Sequence, residues 1–227
     1  MRAYLDHAAT TPLRPEAREA WLAAHEVIGN PSSIHGNGQD ARRLLEDARE
    51  KLAAVLGCEP IEVVLTSGGT EAANLALKGL WWSRRPGEQA LVLPDGEHHA
   101  TLDVVGWLEA EQGARVRAVG LDDLGRIRPD RFSAALPGAA LATALVANNE
   151  VGTLQRPTDL AAAAADADVP LHLDAVSALG HVPVGFARWR GGVRGSGGLA
   201  VMSISAHKVG GPVGTGAAVV SRHADLT

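Results

Sequence analysis

Lysine is scarce in this chain: 227 residues contain only Lys51, Lys78 and Lys208. Cysteine occurs once, at Cys58. A single thiol rules out an intrachain disulfide and points to a reducing compartment, so the chain reads as cytoplasmic. No apolar run approaches the ~20 residues that span a bilayer. The stretch Met1 to His7 also lacks the apolar core of a signal peptide. The net charge of -5 gives no general attraction to nucleic acid or to an anionic membrane, so neither is expected as a partner. No Walker sequence is present. Gly36-Asn37-Gly38-Gln39-Asp40-Ala41 formally matches a dinucleotide fingerprint, but no apolar strand precedes it. His25-Glu26 lacks the second histidine of a zincin, and His98-His99 has no ligand cluster at metal-site spacing, so no metal is expected.

What is present is ordinary for a water-soluble α/β protein: 46% hydrophobic and 21% charged residues, in a length that suits one large domain or one domain plus part of a second. A first helix starts near Pro15, whose missing N–H costs nothing in a first turn, and runs to about Val27. From Gln39 to Leu56 the residues Leu44, Leu45, Ala48, Leu52, Val55 and Leu56 recur at helical spacing, and Gly57 closes the helix. Ile61 to Thr66 reads as a strand that leads through Ser67-Gly68-Gly69-Thr70 into a helix over Glu71 to Leu80. Further strands are expected at Ala90–Leu93, Val116–Val119, Leu141–Ala147, Leu171–Leu173, Ala200–Ile204 and Gly216–Val220. Helices fall around Thr101–Glu111, Pro129–Leu136 and Thr158–Ala167. This alternation predicts a three-layer α/β sandwich: a mainly parallel sheet covered on both faces, with right-handed crossovers. Arg188 to Gly198 has no usable period and reads as a flexible, solvated basic loop.

The polar residues that could carry chemistry fall where predicted strands give way to loops. Glycines at Ser67-Gly68-Gly69-Thr70 allow a tight turn into a helix whose free N–H groups and dipole suit an anion, although a plain capped helix fits equally well. His98 follows one strand end, Asn149 follows another and Asp174 ends a third, the edge at which open α/β sheets bind ligands. Lys51 and Lys78 read as surface lysines, Lys51 with its stem along an apolar stripe. Lys208 instead follows a strand, stands beside His207 and enters the turn Gly210-Gly211-Pro212. A phosphate site, an imidazole, an amide, a carboxylate and a lysine on one sheet edge meet the needs of pyridoxal 5'-phosphate: a lysine to bond it, an acid to protonate its ring, and donors for its oxygens.

At this point the sequence resembles the cysteine desulfurases, in the class V aminotransferase group of fold-type I pyridoxal phosphate enzymes. The motifs, in order, are Leu5-Asp6-His7-Ala8-Ala9-Thr10-Thr11-Pro12, Gly29-Asn30-Pro31-Ser32-Ser33, Thr66-Ser67-Gly68-Gly69-Thr70-Glu71, Glu97-His98, Asn148-Asn149-Glu150-Val151-Gly152, His172-Leu173-Asp174-Ala175 and Ser205-Ala206-His207-Lys208. The resemblance implies that Lys208 bonds the cofactor as an internal aldimine, Asp174 pairs with the pyridine nitrogen and His98 stacks on the ring. It further implies that Asn149 reaches the phenolic oxygen, while Gly69, Thr70, Ser205 and His207 hold the phosphate. Ser177 takes the place of a glutamine that contacts the cofactor in the family.

By the same resemblance the substrate is L-cysteine, which leaves as alanine after a cysteine thiolate takes its sulfur as an enzyme-bound persulfide for iron-sulfur cluster or thio-cofactor synthesis. The partners implied are a second copy, as a homodimer, and a sulfur-acceptor scaffold protein. Residues 1-14 are expected to belong with a small domain, and residues 15-227 to form an incomplete large, cofactor-binding domain. The C-terminal small domain, the persulfide cysteine and a substrate-carboxylate arginine are expected to be missing. Cys58 lies in the turn Gly57-Cys58-Glu59-Pro60, away from any position where the family places its nucleophile. Other readings are another class V activity, such as a selenocysteine lyase or an aminotransferase, and a non-catalytic interaction module of the same fold.

Overall fold

The computed structural model describes residues 3–227, so Met1 and Arg2 of the N-terminal segment expected over 1-14 lie outside the described residues. The helices are α1 (Pro15–His25), α2 (Gly36–Leu56), α3 (Gly69–Trp82), α4 (His99–Gln112), α5 (Pro129–Ala135), α6 (Pro157–Asp166) and α7 (Phe186–Arg190). The strands are β1 (Val63–Thr66), β2 (Ala90–Pro94), β3 (Arg115–Val119), β4 (Ala139–Leu145), β5 (Pro170–Asp174), β6 (Gly198–Ser205) and β7 (Gly216–Val220). They form one sheet in the order β1-β7-β6-β5-β4-β2-β3. The neighbours from β6 through β3 pair in parallel, and β7 runs antiparallel to both β6 and β1. The mainly parallel α/β sandwich expected from the sequence is the observed fold.

Central parallel strands are covered on both faces, so they need continuous rather than alternating apolar runs. Every residue of β4 and of β6 is buried. On one face Leu77 and Trp81 of α3 and Val104 and Leu108 of α4 pack on Leu91, Leu141 and Val201. On the other, Leu56 of α2, Phe132 of α5, Leu160 of α6 and Phe186 of α7 pack on Val92, Leu171, Leu173 and Met202. Helix α1 buries none of its residues.

Several boundaries moved for local reasons. The strand expected from Ile61 begins at Val63, because Pro60–Glu62 forms a short 3-10 turn closed by the Glu62 carboxylate, which accepts from the Glu59 N–H at 2.9 Å. The helix expected from Gln39 begins at Gly36, and the one expected to reach Val27 ends at His25. Lys51 is exposed as expected. Lys78 is only half-exposed, because its ammonium lies 4.6 Å over the Trp107 ring.

The basic loop is a correction. Arg188 to Arg190 belong to α7, with Trp189 and Arg190 only 4% and 7% exposed. The Arg190 guanidinium donates to the carbonyl oxygens of Leu199 and Gly195. The segment is held by this buried cation, so Arg190 is unavailable to a solvent anion.

One close approach positions the site. A Cβ on Gly216 of β7 would lie 2.6 Å from Gly68 Cα and 2.8 Å from the Ile204 carbonyl oxygen. Only a glycine lets the turn before α3 settle on the end of β6 and β7.

Candidate active site

A cavity of about 210 Å³ opens at the carboxyl ends of β4, β5 and β6 and at the start of α3. All nine residues singled out from the sequence line it. Gly69 and Thr70 come from the first turn of α3, and His98 stands just before α4. Asn149 follows β4, Asp174 and Ser177 come from the end of β5, and Ser205, His207 and Lys208 come from β6 and the 3-10 turn after it. The carboxyl edge gathers them because parallel strands bring their ends to one side of the sheet.

The first turn of α3 is shaped by Glu71, whose carboxylate folds back to accept from the Ser67 N–H at 2.7 Å and the Ser67 hydroxyl at 2.6 Å. These bonds hold the Glu71 carboxyl below its ordinary range. Gly69 lies tight against the neighbouring loop, since a Cβ there would meet Val176 Cγ2 at 2.6 Å. His98 caps α4: its Nδ1 accepts from the Ala100 N–H at 3.1 Å, so a neutral ring carries its proton on Nε2. The adjacent asparagines divide their labour. Asn148 builds the loop, donating to the Gly96 carbonyl at 3.1 Å and accepting from the Glu150 and Val151 N–H groups at 2.9 Å each. Asn149 lines the cavity.

Asp174 is 4% exposed. Burial pushes its carboxyl up, while the Val176 N–H at 2.9 Å and the nearby charges of His98 and Lys208 act in the opposite direction. Burial also pulls the Lys208 ammonium below its ordinary value, against the attraction of Asp174 and Asp6. His207 is pulled down by burial and by Lys208.

Two groups were not assigned roles from the sequence. The first is the segment before α1. Lys208 Nζ donates to the Ala8 carbonyl, His207 Nδ1 is 3.1 Å from Thr10 Oγ1, and the Arg14 N–H donates to the Gly210 carbonyl at 2.9 Å. The second is Glu97, which is 7% exposed. Its Oε1 accepts from the Leu145 N–H at 2.7 Å, while Oε2 has no partner among the described residues. Burial, with Asp174 nearby, pushes Glu97 up to about 8. The only hint of Glu97 in the sequence is its place before His98.

The donor set fits a phosphorylated, cationic aromatic ligand. Ser205 Oγ is buried without a hydrogen-bond partner among the described residues, and it lines the cavity with the first N–H groups of α3. An unpartnered buried hydroxyl costs free energy unless a ligand oxygen meets it. The same cavity is lined by the buried Asp174 carboxyl and the Lys208 amine, the groups needed for a ring nitrogen and a carbonyl carbon.

Such a fold and cavity define an α/β protein with a ligand-sized site at the carboxyl edge of its sheet. The chain belongs to the family described as Aminotransferase class-V, whose model matches residues 3–226. Within it, the chain is 43% identical over 226 residues to the IscS-like cysteine desulfurase of Mycobacterium tuberculosis, a match covering 97% of this chain and 56% of that protein. It is 38% identical over 221 residues to the cysteine desulfurase IscS of Dictyoglomus turgidum, covering 96% of this chain and 54% of that protein. Among solved structures, a NifS-like protein superposes with a TM-score of 0.92 at 30% identity, covering 100% of this chain and 60% of its own. A structure described as SspA in complex with cysteine gives 0.90 at 31% identity, covering 100% and 64%. The chain thus spans little more than half the length of the curated relatives it matches.

Proposed function

We propose that this chain is the cofactor-binding part of a pyridoxal 5'-phosphate-dependent cysteine desulfurase. The observation that carries the reading is the convergence of nine sequence-distant polar or glycine residues on one cavity. Bound there, the cofactor would supply an electron sink for the substrate carbon bearing the amino group.

This chain's own residues have separable tasks. The α3 N–H groups at Gly69 and Thr70, with Ser205 and His207, hold a phosphate at a helix N-terminus. Asp174 would meet a ring nitrogen and favour its protonated form, since a buried carboxylate needs a cationic partner. Lys208 presents an amine whose lowered basicity increases the neutral, nucleophilic fraction. His98, with Nδ1 occupied by the Ala100 N–H, offers its ring face and Nε2 to the ligand. Asn149 and Ser177 line the same cavity and would offer hydrogen bonds to the ring's oxygen.

The relatives' names, and the cysteine in the SspA structure, support L-cysteine as substrate. The reading extends to a homodimer and a sulfur-accepting scaffold protein, with residues 1-14 packing on a small domain. Cys58 has no part in it. Burial, with Glu62 nearby, pushes this thiol up to about 11, so it stays protonated and non-nucleophilic at neutral pH. This chain by itself is therefore expected not to carry persulfide sulfur.

The test is to add pyridoxal phosphate, reduce with borohydride and map the labelled peptides. A pyridoxyl group on Lys208, absent from Lys208→Ala, supports the reading. Label confined to Lys51 or Lys78, or no label, defeats it.

A further inference from the structure

Behind Asp174 the sheet holds three polar side chains that do not line the cavity. Thr143 of β4, His172 of β5 and Ser203 of β6 are all 0% exposed. Strand pairing sets Thr143 opposite His172 and Ser203 opposite Asp174, and the alternation of β5 puts His172 and Asp174 on one face. His172 Nδ1 is 2.9 Å from Thr143 Oγ1, and Nε2 is 3.1 Å from Ser203 Oγ. Ser203 also stands beside Asp174 across the β5–β6 pairing, and its hydroxyl acts to lower the Asp174 carboxyl. Three such groups among alanines and leucines would be costly unless each were satisfied.

Counting donors fixes the direction of the bonds. Burial pushes His172 down to about 3, so at neutral pH its ring is uncharged and has one N–H. An ionised Asp174 only accepts, and in that state the Ser203 O–H is directed at it. Ser203 Oγ then accepts from His172 Nε2–H, which leaves Nδ1 bare to accept from the Thr143 O–H. All three protons point toward Asp174.

We propose that Thr143, His172 and Ser203 form a one-directional hydrogen-bond chain that holds the Asp174 carboxylate ionised and oriented toward the cavity. They are positioning residues for the cofactor's ring nitrogen, an inference that rests on the reading of the cavity given above. The other titratable groups near Asp174 are Glu97 and His98 from the β2–α4 loop and Lys208 after β6. None of them is altered by substitutions in the chain.

Two measurements on the unliganded chain decide the arrangement. Nitrogen NMR should find His172 as the neutral Nε2–H tautomer throughout the neutral range. Carbon NMR of the Asp174 carboxyl should show its titration midpoint rising by about one unit, tenfold in acidity, in Ser203→Ala. The rise should be smaller in Thr143→Val and absent in Ser203→Thr, which keeps the hydroxyl. Thr143→Val is nearly isosteric and carries the test if Ser203→Ala fails to fold. An Nδ1–H tautomer, or a midpoint unmoved in the folded variants, overturns the proposal.

The link to the ring nitrogen has its own readout. Ser203→Ala should bind pyridoxal phosphate about tenfold more weakly, yet bind the analogue with carbon in place of the ring nitrogen as well as the parent does. Equal loss for both ligands overturns the ring-nitrogen role. Failure of the parent chain to bind the cofactor defeats the reading of the cavity, whereas the NMR titration still decides the hydrogen-bond chain.

Discussion

The carbonyl oxygen of His207 accepts two hydrogen bonds from Thr11, one from its N–H at 2.9 Å and one from its hydroxyl at 2.8 Å. With the contacts of Ala8, Thr10 and Arg14, this pair ties the start of the chain across the turn that carries Lys208. The lysine at the cavity is thus positioned by residues nearly two hundred places earlier as well as by its own strand.

Thr11→Val removes one of those two bonds and keeps the shape. A net hydrogen bond is worth about 1 kcal/mol, so the 206–211 turn should open roughly fivefold more often. Amide hydrogen exchange of that turn is the measurement. Exchange equal to that of the parent would show that the N-terminal segment does not restrain the turn.

Glu97 gives a pH dependence. Its carboxyl is raised from 4.5 to about 8, so across that window the folded chain binds more protons than the unfolded one. Stability therefore falls as pH rises from about 4.5 and levels off above about 8. Glu97→Gln removes this contribution and can keep the bond from the Leu145 N–H. Urea midpoints of the variant should gain on the parent between these limits, and parallel curves would contradict the assignment.

Arg190→Met keeps the apolar stem but deprives the Leu199 and Gly195 carbonyls of their donor. Bonds from a charged group are worth about 1.5–3 kcal/mol, so a loss of stability on that order is expected in urea denaturation. A solvated arginine would cost within about 0.5 kcal/mol. The size of the change separates the buried anchor seen here from the mobile loop expected from the sequence.

That contrast shows where sequence reading stops. Seven strands alternating with helices were legible because each strand is a short apolar run and each helix repeats its apolar residues at 3.6 spacing. Gly69, Thr70, His98, Asn149, Asp174 and Lys208 were legible because they stand beside those run ends, whereas Ser177, Ser205 and His207 were named through the family resemblance. Arg190 was not, because a guanidinium among glycines has the same local pattern whether it faces water or a carbonyl beneath it. The antiparallel direction of β7 was also invisible, since strand direction is set by pairing across the sheet.

The sequence by itself therefore determined the layers, the sheet edge and the residues offered there, all properties of local periodicity and turn chemistry. Tertiary structure alone decided which of them meet. It closed Thr11 over His207, left Ser205 Oγ without a partner, and set Thr143 and Ser203 on either side of His172 behind Asp174. The physical reason is register. Alternation along β5 puts His172 and Asp174 on one face, but only the hydrogen-bonded alignment of β4 and β6 fixes which side chains stand beside them.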